Sequence, residues 1–143
     1  MSYWNALSTV EDSTRFREFT RTLEQPCQLQ GRRVRALHPF QADDHRLFQA
    51  VAHGEFAING FRNRDLQQLL YGPVHPHSPL PLKEQRRRSA AVSRKLRILL
   101  AHGLIHKVPT TYRYQVTSHG RLAITAILTM DRTSIALLNQ ATV

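Results

Sequence analysis

The chain is poor in sulfur and has no long apolar run. Cys27 is its only cysteine, and no stretch approaches the 18 apolar residues of a membrane-spanning helix. A lone thiol excludes an internal disulfide, so a reducing cytoplasm is the expected compartment. The first residues, MSYWNALSTVED, lack the basic and then apolar profile of a secretory signal peptide. We therefore predict a cytoplasmic protein without a membrane partner.

Residues that could carry catalysis are not arranged for it. The sequence has no glycine-rich loop to cradle a phosphate and no pair of carboxylates spaced for acid–base chemistry. Ser89 and Ser93 lie in a basic segment with no general base at a defined position. The run Asp43-Asp44-His45 is typical of a helix start. We therefore expect no enzymatic activity and no cofactor.

The histidines show no metal-ligand spacing. His75 and His77 form a His-Pro-His in a proline-rich segment with no acidic residue beside them, and Cys27 is remote in sequence. No set of three or four candidate ligands follows a spacing known for zinc. The sequence therefore predicts no metal site.

Acidic residues are scarce: 10 Asp and Glu stand against 20 Lys and Arg, for a net charge of +10. Most of the excess lies between Lys83 and Arg113, where nine cations face one anion, Glu84. A concentrated positive field attracts polyanions, and nucleic acid is the commonest polyanion that a soluble protein meets. A merely solvated charged face is the alternative. The spread of charge over a helix and the hairpin after it favours nucleic-acid binding.

The segment 86–120 predicts a basic helix followed by a tight two-stranded ribbon. Apolar residues at i, i+4, i+7 and i+8 form one buried stripe. Small or cationic residues occupy the opposite side. Gly103 lies where a helix C-terminus favours a left-handed residue. The runs GLIHKV and YRYQV are then joined by a Pro-Thr-Thr turn, and of Tyr112 and Tyr114 at least one should face the core. The stripe consists of Val92, Leu96, Leu99 and Leu100, and the opposite side of Ser89, Ala90, Ser93, Arg94 and Arg97.

Residues 1–40 are predicted as an N-terminal helix and linker. The capping-box spacing of Ser8-Thr9-Val10-Glu11 favours a helix over residues 9–24, which Pro26 ends. An irregular or weakly extended link over residues 28–40 should follow.

Residues 41–143 are predicted as one winged-helix domain. Asp43 or Asp44 should cap a helix that stops at Gly54, and GEFAING could supply a single strand to the ribbon. A helix over residues 63–71 should follow, with Asn63 or Asn59 as its cap and Leu66, Leu69 and Leu70 buried. Four prolines then predict a loop over residues 72–85, where a helix-turn-helix normally has a short turn.

The chain should end in a long helix, capped by Thr117 or Ser118, with Leu122, Ile124, Ile127 and Leu128 inward. A break or kink is expected at residues 131–133. The apolar residues beyond it, Ile135, Leu137 and Leu138, are either core or an interface for a homodimer or another protein.

The predicted class is therefore α+β, mostly helical: a winged helix-turn-helix with an N-terminal helical extension and a C-terminal helix. In such domains the second helix of the motif enters the DNA major groove and the hairpin reaches the adjacent backbone. Arginine suits guanine O6 and N7, whereas cations around the helix set position through phosphates. The base-reading candidates are Ser89, Ser93, Arg94 and Arg97, and the phosphate or wing candidates are Arg62, Arg64, Arg86, Arg87, Arg88, Lys95, Lys107 and Arg113.

Residues 89–120, above all LLAHGLIHKVPTTYRYQVTSHG, resemble the recognition helix and wing of winged-helix regulators of the MarR type. The likeness is a helix, a Gly-Leu-Ile, a basic hairpin, and then Val-Thr-Ser-His-Gly in place of the family's Leu-Thr-x-x-Gly-like helix start. The aspartate and paired arginines common in a MarR wing are absent here. The resemblance implies a DNA-binding transcriptional regulator.

More broadly, residues 4–130 resemble the C-terminal region of a family of longer, largely uncharacterised bacterial proteins. The stretches concerned are GRRVRALHPF, GEFAINGFRNRDLQQLLYG and RKLRILLAHGLIHKVPTTYRYQVTSHGR. That resemblance implies a short version of such a protein, carrying mainly the winged-helix portion, and no particular activity. A role as the DNA-binding part of a larger or mobile-element-associated protein would follow.

Two other functions stay open. The same basic face would suit the A-form helix of a structured RNA, whereas few aromatics argue against stacking of single strands. Alternatively, a winged fold could serve as a protein-interaction module through its apolar terminal helices. If about five to eight cations met phosphates, log K would fall against log salt with a slope of about −4.5 to −7.

Overall fold

The computed structural model describes residues 17–18 and 20–141, of which residues 131–141 are described as helical backbone. The predicted α+β, mostly helical class is confirmed, with two small antiparallel hairpins beside the helices. The predicted N-terminal helix is present at its described end, residues 20–23, and its start with Ser8 and Thr9 lies outside the described residues. The elements are β1 (Cys27–Leu29), β2 (Arg32–Val34), α1 (Ala42–Val51), α2 (Phe56–Asn59), α3 (Asn63–Tyr71), α4 (Leu82–Ala101), β3 (Ile105–Lys107), β4 (Tyr114–Val116) and α5 (Ser118–Ala141).

One apolar core unites these elements. Phe48 of α1, Leu66 of α3, Leu99 of α4 and Ile127 of α5 are each at most 1% exposed and belong to a single cluster. Leu23 and Leu37, from the segment before α1, are buried in the same cluster. The N-terminal stretch therefore packs on the helices that follow it.

Helix α4 follows the predicted stripe and stop signal. Leu99 is buried with Val92 and Leu96, whereas Leu100 is only partly buried. Gly103 has φ +72°, and its N–H donates to the carbonyl of Leu100 (3.1 Å), while Leu104 N–H donates to that of Leu99 (3.0 Å). These two bonds form a Schellman motif, which glycine favours because its left-handed φ costs no Cβ clash.

The start of α4 corrects the predicted loop over residues 72–85. The helix begins at Leu82, and Gln85 N–H already donates to the carbonyl of Pro81 (3.0 Å). Proline is tolerated at this point because the first turn of a helix has no intrahelical acceptors for its N–H groups. The loop between α3 and α4 is therefore four residues shorter than expected.

The predicted ribbon is present as the β3–β4 hairpin, in which His106 pairs with Gln115. The strand expected in GEFAING is wrong, because residues Phe56–Asn59 form the short helix α2. Instead Phe61, just after it, exchanges two backbone hydrogen bonds with Tyr114, at 2.9 and 2.7 Å. This single bridge ties the hairpin to the body of the protein.

The link over residues 28–40, expected to be irregular or weakly extended, is extended in its first part, where it belongs to a second hairpin. Strands β1 and β2 pair antiparallel, with Gln28 opposite Arg33. The two turn residues, Gln30 and Gly31, have φ +52° and +78°. Positive φ at both central residues is the property of a type I′ turn, whose twist matches that of the flanking strands.

Helix α1 begins differently from the prediction. Its N-cap is Gln41, and Asp43 and Asp44 lie inside the first turn, so neither carboxylate caps it. The helix ends at Val51, before the predicted stop at Gly54.

Helix α3 has the predicted bounds, but its N-cap is Arg62, and neither Asn59 nor Asn63 holds that place. The N–H of Arg62 donates to the Asp65 carboxylate (2.8 Å). Leu66 is buried as expected and Leu70 packs on the core, whereas Leu69 is 41% exposed.

Helix α5 begins as predicted, since Gly120 N–H donates to Oγ1 of the cap residue Thr117 (2.8 Å). Ile124 and Ile127 are buried as expected, but Leu122 is 66% exposed and points outward. Of the break or kink predicted at residues 131–133, the break is wrong, because the backbone stays helical to Ala141, and the kink stays a prediction. The side chains of Ile135, Leu137 and Leu138 lie outside the described residues.

Candidate nucleic-acid interface

The outer face of α4 has a ridge with a groove on each flank. Ala90, Arg94 and Arg97 follow one another at i, i+4 and i+7, which places them on one face, away from the buried stripe of Val92 and Leu99. Ala90 and Arg94 are exposed and Arg97 is half-buried. The predicted base-reading arginines therefore share the most outward part of the helix.

The groove that we call the front groove lies between the start of α3, α4 and the β3–β4 hairpin. Its volume is about 510 Å³. Arg62, Arg64 and Arg97 line it together with Ser89 and Ser93, and no carboxylate of the described residues lines it. Five of the candidates taken from the sequence are thus brought to one opening.

Hydrogen bonds connect Asn63 of α3 to both serines of α4 that line the front groove. Asn63 Nδ2 donates to the backbone oxygen of Ser89 (3.1 Å) and to Oγ of Ser93 (3.0 Å). Gln67 Nε2 in turn donates to Asn63 Oδ1 (2.6 Å), which orients the amide. Because the Ser93 oxygen accepts from Asn63, its hydroxyl proton stays available to an outside acceptor.

Arg62 carries an unsatisfied donor at the edge of this groove. Its Nε is buried and has no hydrogen-bond partner in the described part of the chain. A buried charged donor without an acceptor is costly, so native structures rarely leave one unpaired without a reason. Because this Nε is itself buried, the Arg62 side chain would have to move before an anionic oxygen in the front groove could become its acceptor.

The second groove, which we call the side groove, lies on the other flank of α4, against strand β2. Its volume is about 480 Å³. In the part of the chain that the structure describes, no carboxylate lines it, and its lining cations are Arg33, Arg35, Arg94, Lys95 and Arg97. Arg94 and Arg97 of the ridge border this groove, and Arg97 borders the front groove as well.

Two of the three arginines at residues 86–88 are already paired with a carboxylate of α4 itself. Glu84 accepts hydrogen bonds from Arg87 (2.7 and 2.9 Å) and from Arg88 (3.0 Å). These bonds, with the charges of both arginines, lower the pKa of Glu84 to about 2. Arg88 also lies over the ring of Tyr71, 4.9 Å from its centroid. Arg86 is therefore the member of the run that is best placed to meet a ligand.

The β3–β4 hairpin presents a lysine and a tyrosine at its exposed end. Tyr112 is 81% exposed, and Lys107 Nζ lies 5.7 Å from its ring centroid. Arg113, the cation expected near the tip, turns back and donates to the carbonyl of Asn59 (3.3 Å). Tyr114 packs against the core, as one of the two tyrosines was expected to do.

Sequence reasoning missed the β1–β2 hairpin as part of this surface. Arg33 lies in its strand β2, Arg35 directly follows that strand, and Arg32 is exposed beside the turn. The available signal was Gln30-Gly31 between two short runs of strand type, a weak form of the turn dipeptides that mark hairpins. The front-groove residues Asn63 and Tyr112 were also missed, because a hydrogen bond across 30 residues and the exposure of one tyrosine have no local signature.

Asp44 fixes this hairpin to α1. Arg35 donates to both carboxylate oxygens (2.8 and 3.0 Å), and His38 N–H donates to Oδ2 (2.8 Å). Burial alone would raise the pKa of the Asp44 carboxyl, but these hydrogen bonds and the charges of Arg35 and Lys95 hold it below its ordinary value. Asp44 is 3% exposed, so it carries its negative charge inside the protein.

Other kinds of site find less support in the described residues. No group of three or more His, Cys, Asp or Glu side chains among them is placed to hold a metal ion. No helix in this part of the chain combines the length and the apolar character needed to cross a bilayer. A comparison of the chain with protein-family models, with curated proteins and with solved structures finds no match. Its function must therefore be argued from the geometry of the surface.

Proposed function

We propose that the chain is a DNA-binding winged-helix module, either a transcriptional regulator or the DNA-binding part of a larger or mobile-element-associated protein. In this proposal α1, α3 and α4 are the three helices, the β3–β4 hairpin is the wing, and the bridge at Phe61 stands for the third strand. The extended loop between α3 and α4 replaces the short turn of a simple helix-turn-helix.

The observation that carries the proposal is the front groove beside the ridge of α4. The start of α3, the ridge of α4 and the β3–β4 hairpin meet at this groove. Three arginines line it, and no carboxylate of the described residues does. On the long outer face of α4, Ala90 and Arg94 are exposed. An α-helix of this kind fits the major groove, about 12 Å wide, with phosphate strands on both sides.

The roles follow from position and chemistry. Arg94, Arg97 and the Ser93 hydroxyl, with the neighbouring Ser89, would reach base edges, since they lie on or beside the ridge. Arg62 and Arg64 at the start of α3 would contact phosphates, since both line the front groove. Lys107 and Tyr112 would meet the backbone next to the wing.

The charges that are already paired reduce the expected salt dependence. Arg87 and Arg88 bind Glu84, and Arg113 binds the Asn59 carbonyl. Without them about four to six cations remain for phosphates, and the slope of log K against log salt becomes about −3.6 to −5.4.

The test is a fluorescence-anisotropy titration of the purified protein against random duplex DNA, duplex RNA and single strands at several salt concentrations. The proposal expects duplex DNA to bind most tightly, with a slope in that range. Tighter binding of duplex RNA than of duplex DNA would mean that this surface binds structured RNA. No binding at low salt would refute nucleic-acid binding and direct attention to a protein partner.

A further inference from the structure

We propose that the side groove is a second phosphate-binding site, in which the β1–β2 hairpin holds the DNA strand on the flank of α4 opposite the β3–β4 hairpin. This inference rests on the proposed function and assigns the hairpin a role that a winged helix alone does not need. The ligand is the sugar–phosphate backbone of duplex DNA. Its recognition there is electrostatic and independent of sequence.

The two grooves lie on opposite flanks of α4 because of helical spacing. Ser89 and Ser93 point to the front groove, whereas Ala91, Lys95 and Ile98 line the side groove. Two positions separate Ser93 from Lys95, which is a rotation of about 200° around a helix of 3.6 residues per turn. A helix whose ridge lies in the major groove therefore has one phosphate strand facing each flank.

The charges of the side groove are available for a ligand. Among the described residues, Arg33 and Lys95 form no ion pair, whereas Arg94 and Arg97, which also border the groove, are the proposed base readers. Arg35 is the exception, because it is bound to Asp44. Arg33 is thus the free cation that β2 adds across the groove from α4, and an anionic backbone is the ligand that this arrangement suits.

The hairpin is held in place before any ligand arrives. Val34 of β2 is 5% exposed, and Asp44 binds both the Arg35 side chain and His38 N–H. His102 Nε2, just after α4, donates to the carbonyl of Arg35 (2.9 Å). Leu37 N–H donates to the carbonyl of Leu23 (2.8 Å). A preorganised hairpin loses little conformational entropy on binding, which favours a direct contribution to affinity.

The test compares Arg33→Ala with Arg121→Ala in the full chain, titrated against random duplex DNA at several salt concentrations. Both side chains are exposed arginines, but Arg121 lies by a hollow between α1, α2, β4 and α5 that no α4 residue lines. We expect Arg33→Ala to lower affinity several-fold on every duplex and to reduce the salt slope by about 0.9. Arg121→Ala should leave the slope unchanged, and Arg33→Lys should restore it.

The outcomes separate the two proposals. If the unaltered protein binds duplex DNA and Arg33→Ala behaves like Arg121→Ala, the second site is wrong and the proposed function stands. If both variants reduce the slope equally, the effect is one of net charge, and the second site is again wrong. If the unaltered protein binds no duplex DNA, both proposals fail. Urea unfolding of each variant checks that the fold is retained.

Discussion

Replacement of Asp44 with asparagine should loosen the β1–β2 hairpin from α1 and destabilise the fold. The carboxylate is 3% exposed and accepts three hydrogen bonds, two from Arg35 and one from His38 N–H. Asparagine has nearly the same shape but only one acceptor oxygen. Its NH₂ group would be buried where both neighbours present N–H groups, so it would lack an acceptor.

The size of the loss follows from these contacts. The side chain of Arg35 is 47% exposed, so water screens the ion pair, which contributes at most about 1 kcal/mol. The buried amide without an acceptor costs about 1–3 kcal/mol. We therefore expect the free energy of unfolding to fall by about 2 kcal/mol, roughly 4–8 °C in Tm for a chain of this size.

The pH dependence has a definite sign. The pKa of Asp44 is lower in the folded protein than in the unfolded chain, so its contribution to stability is complete above the ordinary value of about 3.9. That contribution is lost as the pH falls through the lower, folded value. In urea titrations, the free energy of unfolding of the unaltered protein should fall below about pH 4. That of Asp44→Asn should fall less over the same pH range.

Asp43→Asn is the matched control, because Asp43 lies in the same first turn of α1 but is exposed. It should change stability by less than about 0.5 kcal/mol. Equal losses for the two variants would refute the reasoning, since the effect would then come from charge at the helix start and not from the anchored hairpin.

Two other predictions follow from single residues. Glu84→Gln should release Arg87 and Arg88 from their ion pairs. In anisotropy titrations, the affinity for duplex DNA should then rise and the salt slope should steepen by up to about 1.8. An unchanged slope would mean that both arginines face away from the DNA. Gly103→Ala should lower the free energy of unfolding by about 1 kcal/mol, because a Cβ is unfavourable at φ +72°. Gly54→Ala, at a position with open space and no positive φ, is the control for urea unfolding, and equal effects would contradict the left-handed cap.

Local patterns in the sequence predicted the centre of the molecule well. The stripe of α4, the glycine at its end and the β3–β4 hairpin all arise from interactions within a few residues, such as the bonds of Gly103 to Leu100 and of Leu104 to Leu99. The bounds of α3 and the Thr117 cap have the same local origin. Features of this kind are readable because the physical cause and the residue lie together.

The features that were missed depend on distant partners. Asp44 is of a residue type that often caps helices, but its carboxylate accepts hydrogen bonds from Arg35, nine residues earlier. Gln41 occupies the cap position. Leu69 and Leu122 fit apolar stripes, yet no element among the described residues covers them. The side groove escaped notice because it requires the β1–β2 hairpin, a three-residue pairing with too little alternation to be recognised in sequence.

The central claim is that DNA binds along the outer face of α4, and amide chemical shifts of ¹⁵N-labelled protein test it most directly. Titration with duplex DNA should shift the amides of Asn63, Ser93, Arg97 and Tyr112, which line the front groove. The amides of Phe56 and Ile124, beside the hollow that no α4 residue lines, should stay in place. Shifts confined to α5 or to that hollow, or no shifts at low salt, would contradict the account.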